Sequence, residues 1–293
     1  MIAKAKKLLA QETRTWPSGQ PSFPNGFGEK LSIALAYPHR YYTAMSNLGF
    51  QTVHRLFNEQ PNTVCQRVFL PDPEDVAEYR RTETPLFSLE SQQPVRSFDI
   101  LAFSISYEND YPHLLQMMEL ARIPLRNQER TGADPLVMAG GATVLMNPEP
   151  LADFVDFFVI GEAEVIAGPL IQVLREGKVQ GKPKEELLHE LMTIEGIYVP
   201  QFYSVTYRPE GTIESWIPRE TAPPRVKRVW LKNLNSSLTV SSLLTPNTEL
   251  SGMFLLELSR GCHRRCRFCA GCYTYFPHRV RDGPRLQEMA VRN

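Results

Sequence analysis

The sequence predicts an α/β protein whose larger part forms a doubly wound parallel sheet, and three observations lead there. From residue 31 to about residue 195, short apolar runs alternate with stretches whose apolar residues recur at helical spacing. The connections between them are short, as strand–helix–strand crossovers covering both faces of one sheet require. The first strand-like run, LSIALAYP (31–38), is short and almost wholly apolar, the pattern of a strand buried on both faces.

Each element has its own warrant. The first thirty residues show little periodicity and carry TWPSGQPSFPNGFG, so they read as a partly ordered arm packed on the domain. LSIALAYP (31–38) is a buried strand closed by proline. In 41–60, Met45, Leu48, Val53, Leu56 and Phe57 recur at mostly helical spacing. VCQRVFLP (64–71) is a strand, and DPEDVAEYRR (72–81) a helix with Asp72 at its cap and Pro73 at its first position. FDILAFSIS (98–106) is the next strand, followed by a helix over 109–123 with Leu114, Leu115, Met118 and Ala121 on one side. PLVMAGG (135–141) and VDFFVIGEAE (155–164) are strands running into glycine, the second leading into a helix to about Glu176, and 182–194 is a further helix.

Residues 196–218 set β-branched and aromatic residues around PEG, a turn signal, and read as a small antiparallel extension. The mixed charge and paired prolines of 219–237 mark a linker in which Val229, Trp230 and Leu234 can dock on a neighbour. MFLLELSRGC (253–262) is again a strand running into a loop. In an open parallel sheet the ligand lies beyond the C-terminal strand ends. That rule nominates Tyr37, Ser104, Gly140, Gly141, Gly161 and Glu162.

The totals exclude several classes. At 293 residues, with 42% hydrophobic and 22% charged residues and zero formal net charge, nothing global points to nucleic acid or an anionic membrane. No apolar run approaches the ~20 residues of a membrane span, and the N-terminal apolar stretch is too short for a signal peptide, so the chain reads as cytoplasmic. Charge is uneven, however. From Met253 to Asn293 eight arginines stand against three acids, a net +5 that reads as a solvated basic loop or as a region that meets an anionic ligand or nucleic acid.

Four of the five cysteines fall within eleven residues of that basic end, at Cys262, Cys266, Cys269 and Cys272. In a cytoplasmic chain such a cluster is a metal or redox site before it is a disulfide framework. Thiolates select zinc, copper(I) or iron–sulfur clusters, and adjacent arginines favour the thiolate. Structural zinc wants a second cysteine pair beyond a longer loop. That pair is missing unless Cys272, His263 or His278 joins. The unit C-x3-C-x2-C leaves two readings open: three ligands with Cys272 a bystander, or four ligands in a non-catalytic iron–sulfur or zinc protein.

Written out as Cys262-His-Arg-Arg-Cys266-Arg-Phe268-Cys269, the loop resembles the signature of the radical S-adenosylmethionine (SAM) enzymes, and LELSRGC before it resembles their first barrel strand and turn. The resemblance implies that Cys262, Cys266 and Cys269 hold a [4Fe–4S] cluster whose open iron is chelated by SAM. It implies reductive cleavage of SAM to a 5′-deoxyadenosyl radical, and Phe268 packed beside the SAM adenine. An electron donor such as a flavodoxin or ferredoxin is implied as a partner. The arginines permit an RNA substrate, and equally a SAM carboxylate or a small anion.

Upstream, GGATVLMNPEPLADFVDFFVIGEAE (140–164) is similar to radical SAM proteins with an N-terminal cobalamin-binding-like domain, and YPHRYYTAMSNLGFQTVHRLFN (37–58) to an uncharacterised branch of them. The implied fold is a flavodoxin-like, cobalamin-binding-like sheet followed by the start of a radical SAM (β/α) partial barrel. The implied domains are an arm (1–30), the cobalamin-binding-like domain (31–195), a β extension and linker (196–237) and an incomplete radical SAM domain (238–293).

The strand-end residues Tyr37, Ser104, Gly140, Gly141, Gly161 and Glu162 would then line the cobalamin-like pocket. D-x-H-x-x-G, which supplies an axial histidine to cobalamin, does not occur, so cobalamin stays an open second cofactor. A cobalamin module with a vestigial cysteine loop is a third alternative. A barrel needs on the order of 200 residues beyond its first strand. Only 24 follow Cys269, so the chain reads as the N-terminal portion of a longer enzyme, inactive alone. Glu162 and Glu164 suit a helix start. Met117 and Met118 read as core, and Cys65 as a buried, inert thiol.

Overall fold

A computed structural model of the chain describes residues 1–15 and 27–291. Most of TWPSGQPSFPNGFG, assigned above to an arm, lies outside the described residues. The described part of the first thirty residues is more ordered than its sequence suggests. Helix α1 (Ile2–Ala10) precedes Thr13–Arg14, which pair antiparallel with Leu243–Leu244. Glu12 then inserts a side chain that is 1% exposed against Arg67, giving the arm a buried ionic anchor.

The sheet contains β1 (Leu31–Tyr37), β2 (Thr63–Phe69), β3 (Ile100–Ser104), β4 (Leu136–Gly140), β5 (Phe157–Val159) and β6 (Ile197–Tyr198) in the order β2-β1-β3-β4-β5-β6. The first five strands are parallel and β6 runs antiparallel beside β5. All seven residues of β1 are buried, which explains why all but Ser32 are apolar or aromatic. Strand order reverses between β1 and β3, which makes a crevice at their C-terminal ends. The sheet therefore extends to Tyr198, three residues past the boundary the sequence suggests, and takes Ile197–Tyr198 from the expected extension.

The helices are α2 (Tyr41–Ala44), α3 (Leu48–Asn58), α4 (Pro73–Arg81), α5 (Tyr111–Leu120), α6 (Ala142–Met146), α7 (Ala163–Gln180) and α8 (Lys184–Leu191). The single periodic stretch at 41–60 is thus two helices. Asn47 is the reason: its side chain accepts the Phe50 amide at 2.9 Å and starts α3 afresh. Asp72 occupies the cap position of α4 as expected, but its carboxylate bonds Lys4 and pairs with Arg40 instead of closing the cap.

Beyond the sheet, β7 (Tyr203–Tyr207) and β8 (Ile213–Pro218) form the expected antiparallel hairpin, with Tyr203 stacked on Trp216. The linker docks as its apolar residues suggest. Val229 bridges Gly161 in parallel and Leu234 is buried. MFLLELSRGC differs from expectation: its regular structure is a two-residue ladder, Ser259–Arg260 against Arg279–Val280, and this ladder is antiparallel. A parallel barrel strand is defined by its neighbours, and among the described residues this segment pairs only with the return of its own loop and, at Leu256, with Val240. None of the helices formed by the described residues is long and apolar enough to cross a membrane.

Candidate functional site

The C-terminal ends of β3, β4 and β5 open into a cavity of about 420 Å³. Ser104, Gly140 and Gly161 form its floor, α3 and α7 its sides, and Thr239, Glu257, Arg260, Gly261 and Tyr275 its roof. Five of the six strand-end residues nominated from the sequence line it: Ser104, Gly140, Gly141, Gly161 and Glu162. Tyr37 does not. Its hydroxyl accepts from the Asn47 amide at 3.2 Å, and its buried ring packs edge-on against Phe50. A β1 side chain at that register points into the helix layer rather than past the strand end.

Gly141 makes the floor possible. Its φ is +112°, and a Cβ there would stand 2.3 Å from the Ile105 carbonyl oxygen. Only a residue without a side chain allows β4 to turn into α6 so close to the end of β3.

Glu162 is the last residue before α7, and its carboxylate is consumed by basic groups. Arg279 grips both oxygens at 2.7 and 2.9 Å, Arg260 reaches Oε2 at 2.8 Å, and the Leu231 amide donates to Oε2 at 2.9 Å. Burial alone would raise its pKa, but Arg279, the Leu231 amide and Arg260 hold it below the usual carboxylate range. Arg260 also bonds Glu164 at 2.6 Å and Glu257 at 2.8 Å, and Arg281 bonds Glu257 at 2.8 Å. Burial disfavours the Arg260 charge, yet Glu164 and Glu257 raise its pKa above the ordinary value. Three arginines therefore face three glutamates in the interior.

This changes the reading of the basic chain end. Arg260, Arg279 and Arg281 neutralise internal carboxylates, and Arg285 pairs with Glu288. Arg264, Arg265 and Arg267, on the cysteine loop, remain exposed.

Residues 261–278 form that loop, with its stems in the two-residue ladder. Gly261 begins it at φ +83°, where a Cβ would meet the Tyr275 carbonyl oxygen at 2.4 Å. The Cys269 amide donates to the Cys266 carbonyl at 3.1 Å, and the Arg264 amide to Cys262 Sγ at 3.4 Å. Cys266 and Cys269 are exposed and Cys262 is partly so, whereas Cys272 is buried with its thiol donating to the Cys269 carbonyl at 3.4 Å. Phe268 is 92% exposed, so the other described residues leave its ring largely uncovered.

Among the described residues, no three His, Cys, Asp or Glu side chains converge well enough to hold a metal ion. Ligands on a flexible loop converge when metal binding supplies the free energy to order them. The chemistry of the donor set fits an iron–sulfur cluster: three accessible thiols on one loop, an amide aimed at one sulfur, and a fourth thiol turned inward.

The cavity's size falls within the ~300–1,000 Å³ of small-molecule sites. None of its lining residues is a histidine. Asn47, Thr239, Glu257, Arg260 and Tyr275 were not singled out by the sequence, because nothing local connects them to the strand ends they face. Cys65 is buried as expected and its thiol pKa is pushed up by burial, while Met117 and Met118 lie in the core.

Residues 49–200, just over half of the chain, match the family described as radical SAM proteins, N-terminal. Among curated proteins, the chain is similar to the uncharacterized protein MJ0966 of Methanocaldococcus jannaschii, with 25% identity over 262 residues. That match covers 88% of this chain and 45% of MJ0966, so the chain spans less than half the length of this relative. Among solved structures, it is similar to the cobalamin-dependent SAM radical enzyme OxsB with aqua-cobalamin and SAM bound, at a TM-score of 0.47, 14% identity, and coverage of 90% of this chain and 31% of that one. It is also similar to the radical SAM methyltransferase TsrM from Kitasatospora setae, with tryptophan substrate and a SAM analogue bound. There the TM-score is 0.45 and the identity 12%, over 89% of this chain and 45% of that one.

Proposed function

Since the chain belongs to the radical SAM proteins that share this N-terminal region, we propose that it carries the cluster-binding loop of a radical SAM enzyme, set against a small-molecule cavity in its α/β domain. Cys262, Cys266 and Cys269 are the ligands, and Cys272 is not. The observation that carries this reading is the unequal environment of the four thiols: three accessible, one buried and donating to a carbonyl. Three ligands leave one iron open, and an open coordination position separates a catalytic metal site from a structural one. When bound there, a [4Fe–4S] cluster supplies the electron that cleaves SAM to a 5′-deoxyadenosyl radical.

The chain's own residues prepare that site. Gly261 lets the strand break sharply into the loop. The Arg264 amide stabilises negative charge on the Cys262 sulfur. Arg264, Arg265 and Arg267 lower the cost of bringing thiolates together and give anionic groups a favourable approach. The exposed Phe268 ring is available to pack on a bound adenine or on a further protein surface. No step is assigned to cobalamin: the cavity's lining residues offer no histidine to a cobalt ion. The electron donor and the substrate, including any RNA, belong to the whole enzyme.

Anaerobic reconstitution of the chain with iron and sulfide tests the reading. Cluster absorbance and bound iron are expected in the wild type and in Cys272→Ala. Loss is expected in Cys262→Ala, Cys266→Ala and Cys269→Ala. Equal loss in all four variants would establish the four-cysteine, non-catalytic site instead.

A further inference from the structure

The geometry points to Glu162 as a positioning residue that couples the cysteine loop to the wall of the cavity. This rests on the cluster reading above and concerns a residue that reading does not use. Both stems of the loop, Ser259–Arg260 and Arg279–Val280, contribute an arginine to the same carboxylate. Arg260 lies two positions before Cys262, and Arg279 follows the loop's last residue. Glu162 itself immediately precedes α7, whose first residues Ala163 and Glu164 line the cavity. One side chain therefore joins the two ends of the loop to the helix start that shapes the cavity.

The contact has the features of a rigid link. The Arg279 fork is bidentate, which fixes direction as well as distance. Glu162 is 5% exposed, so the pairing is little screened by salt. Its backbone is held too: the Glu162 amide donates to the Val229 carbonyl at 3.0 Å. Ordering of the loop by a metal restricts Arg260 and Arg279, and through Glu162 it restricts the first turn of α7. By reciprocity, a ligand that orders this wall of the cavity favours the metal-binding form of the loop.

Hydrogen exchange on the full chain, with and without reconstituted iron and sulfide, tests this. In the wild type, metal loading is expected to slow exchange at the loop amides and also at Glu162, Val165 and Ile166, by at least about fivefold, the low end of coupling between sites. In Glu162→Gln, iron should still bind, with protection confined to 261–272. Arg279→Lys keeps the charge but loses the fork, and should reduce the α7 protection; it serves as the second variant should Glu162→Gln not fold. Wild-type protection that stops at the loop would overturn the proposal, as would undiminished α7 protection in Glu162→Gln. Absence of iron in the wild-type chain would overturn the cluster reading itself, and the iron assay separates that failure from the others.

Discussion

The Cys272 thiol donates to the carbonyl oxygen of Cys269 at 3.4 Å, so two cysteines three positions apart have opposite surroundings: Cys269 is exposed and Cys272 is buried. Alkylation of the metal-free chain should follow that division. Iodoacetamide is expected to label Cys262, Cys266 and Cys269 well before Cys272. Cys65, buried with its thiol pKa pushed up, should react last. Peptide mass spectrometry over a time course reads the order, and early labelling of Cys272 would contradict the buried position.

Gly141→Ala should destabilise the fold by about 1–3 kcal/mol, because the new Cβ meets the Ile105 backbone and φ lies in the left-handed region. Urea denaturation measures it. A neutral effect would mean that the turn between β4 and α6 is more permissive than its geometry implies.

Arg67→Met removes the partner of two buried carboxylates, Glu12 at 2.7 Å and Glu90 at 2.6 Å. Leaving buried charge uncompensated costs about 3–5 kcal/mol. The triple variant Glu12→Gln, Arg67→Met, Glu90→Gln should recover much of the loss, since no buried charge remains. Comparing the two by denaturation separates charge compensation from packing.

Acid should weaken the same arm. Burial would raise the Glu12 pKa, but Arg67 and the Tyr41 hydroxyl hold it below the ordinary glutamate value. A carboxylate with a depressed folded-state pKa contributes stability that is present above the unfolded value and lost as pH falls through the folded one. Unfolding midpoints measured from about pH 6 down to about pH 3 should therefore decline below roughly 4.5. Glu12→Gln should show a shallower decline; an unchanged slope would exclude Glu12 as a contributor.

How much of this was legible depends on the range of the interaction concerned. The strand at 31–37 and the helix at 73–81 are readable because a buried strand's apolar run, and Pro73 after Asp72, are local patterns. The break at Asn47 was readable in principle, since asparagine is a strong cap, but the apolar spacing on either side masks it. Arg260 and Glu162, 98 positions apart, carry no local mark of each other. Arg260 reads locally as part of a basic loop, and Glu162 as a strand-end pocket residue and helix-start carboxylate; neither reading points to the other.

The sequence by itself determined the parallel sheet, the glycine turns at the strand ends and the close spacing of four cysteines, because periodicity, backbone freedom and residue spacing are properties of a short stretch of chain. Only the tertiary structure decided that Cys272 faces inward, that Tyr37 leaves the cavity, and that three arginines of the basic end neutralise carboxylates. Those outcomes depend on which groups meet through space, and burial permits a charge only where its opposite has been brought alongside.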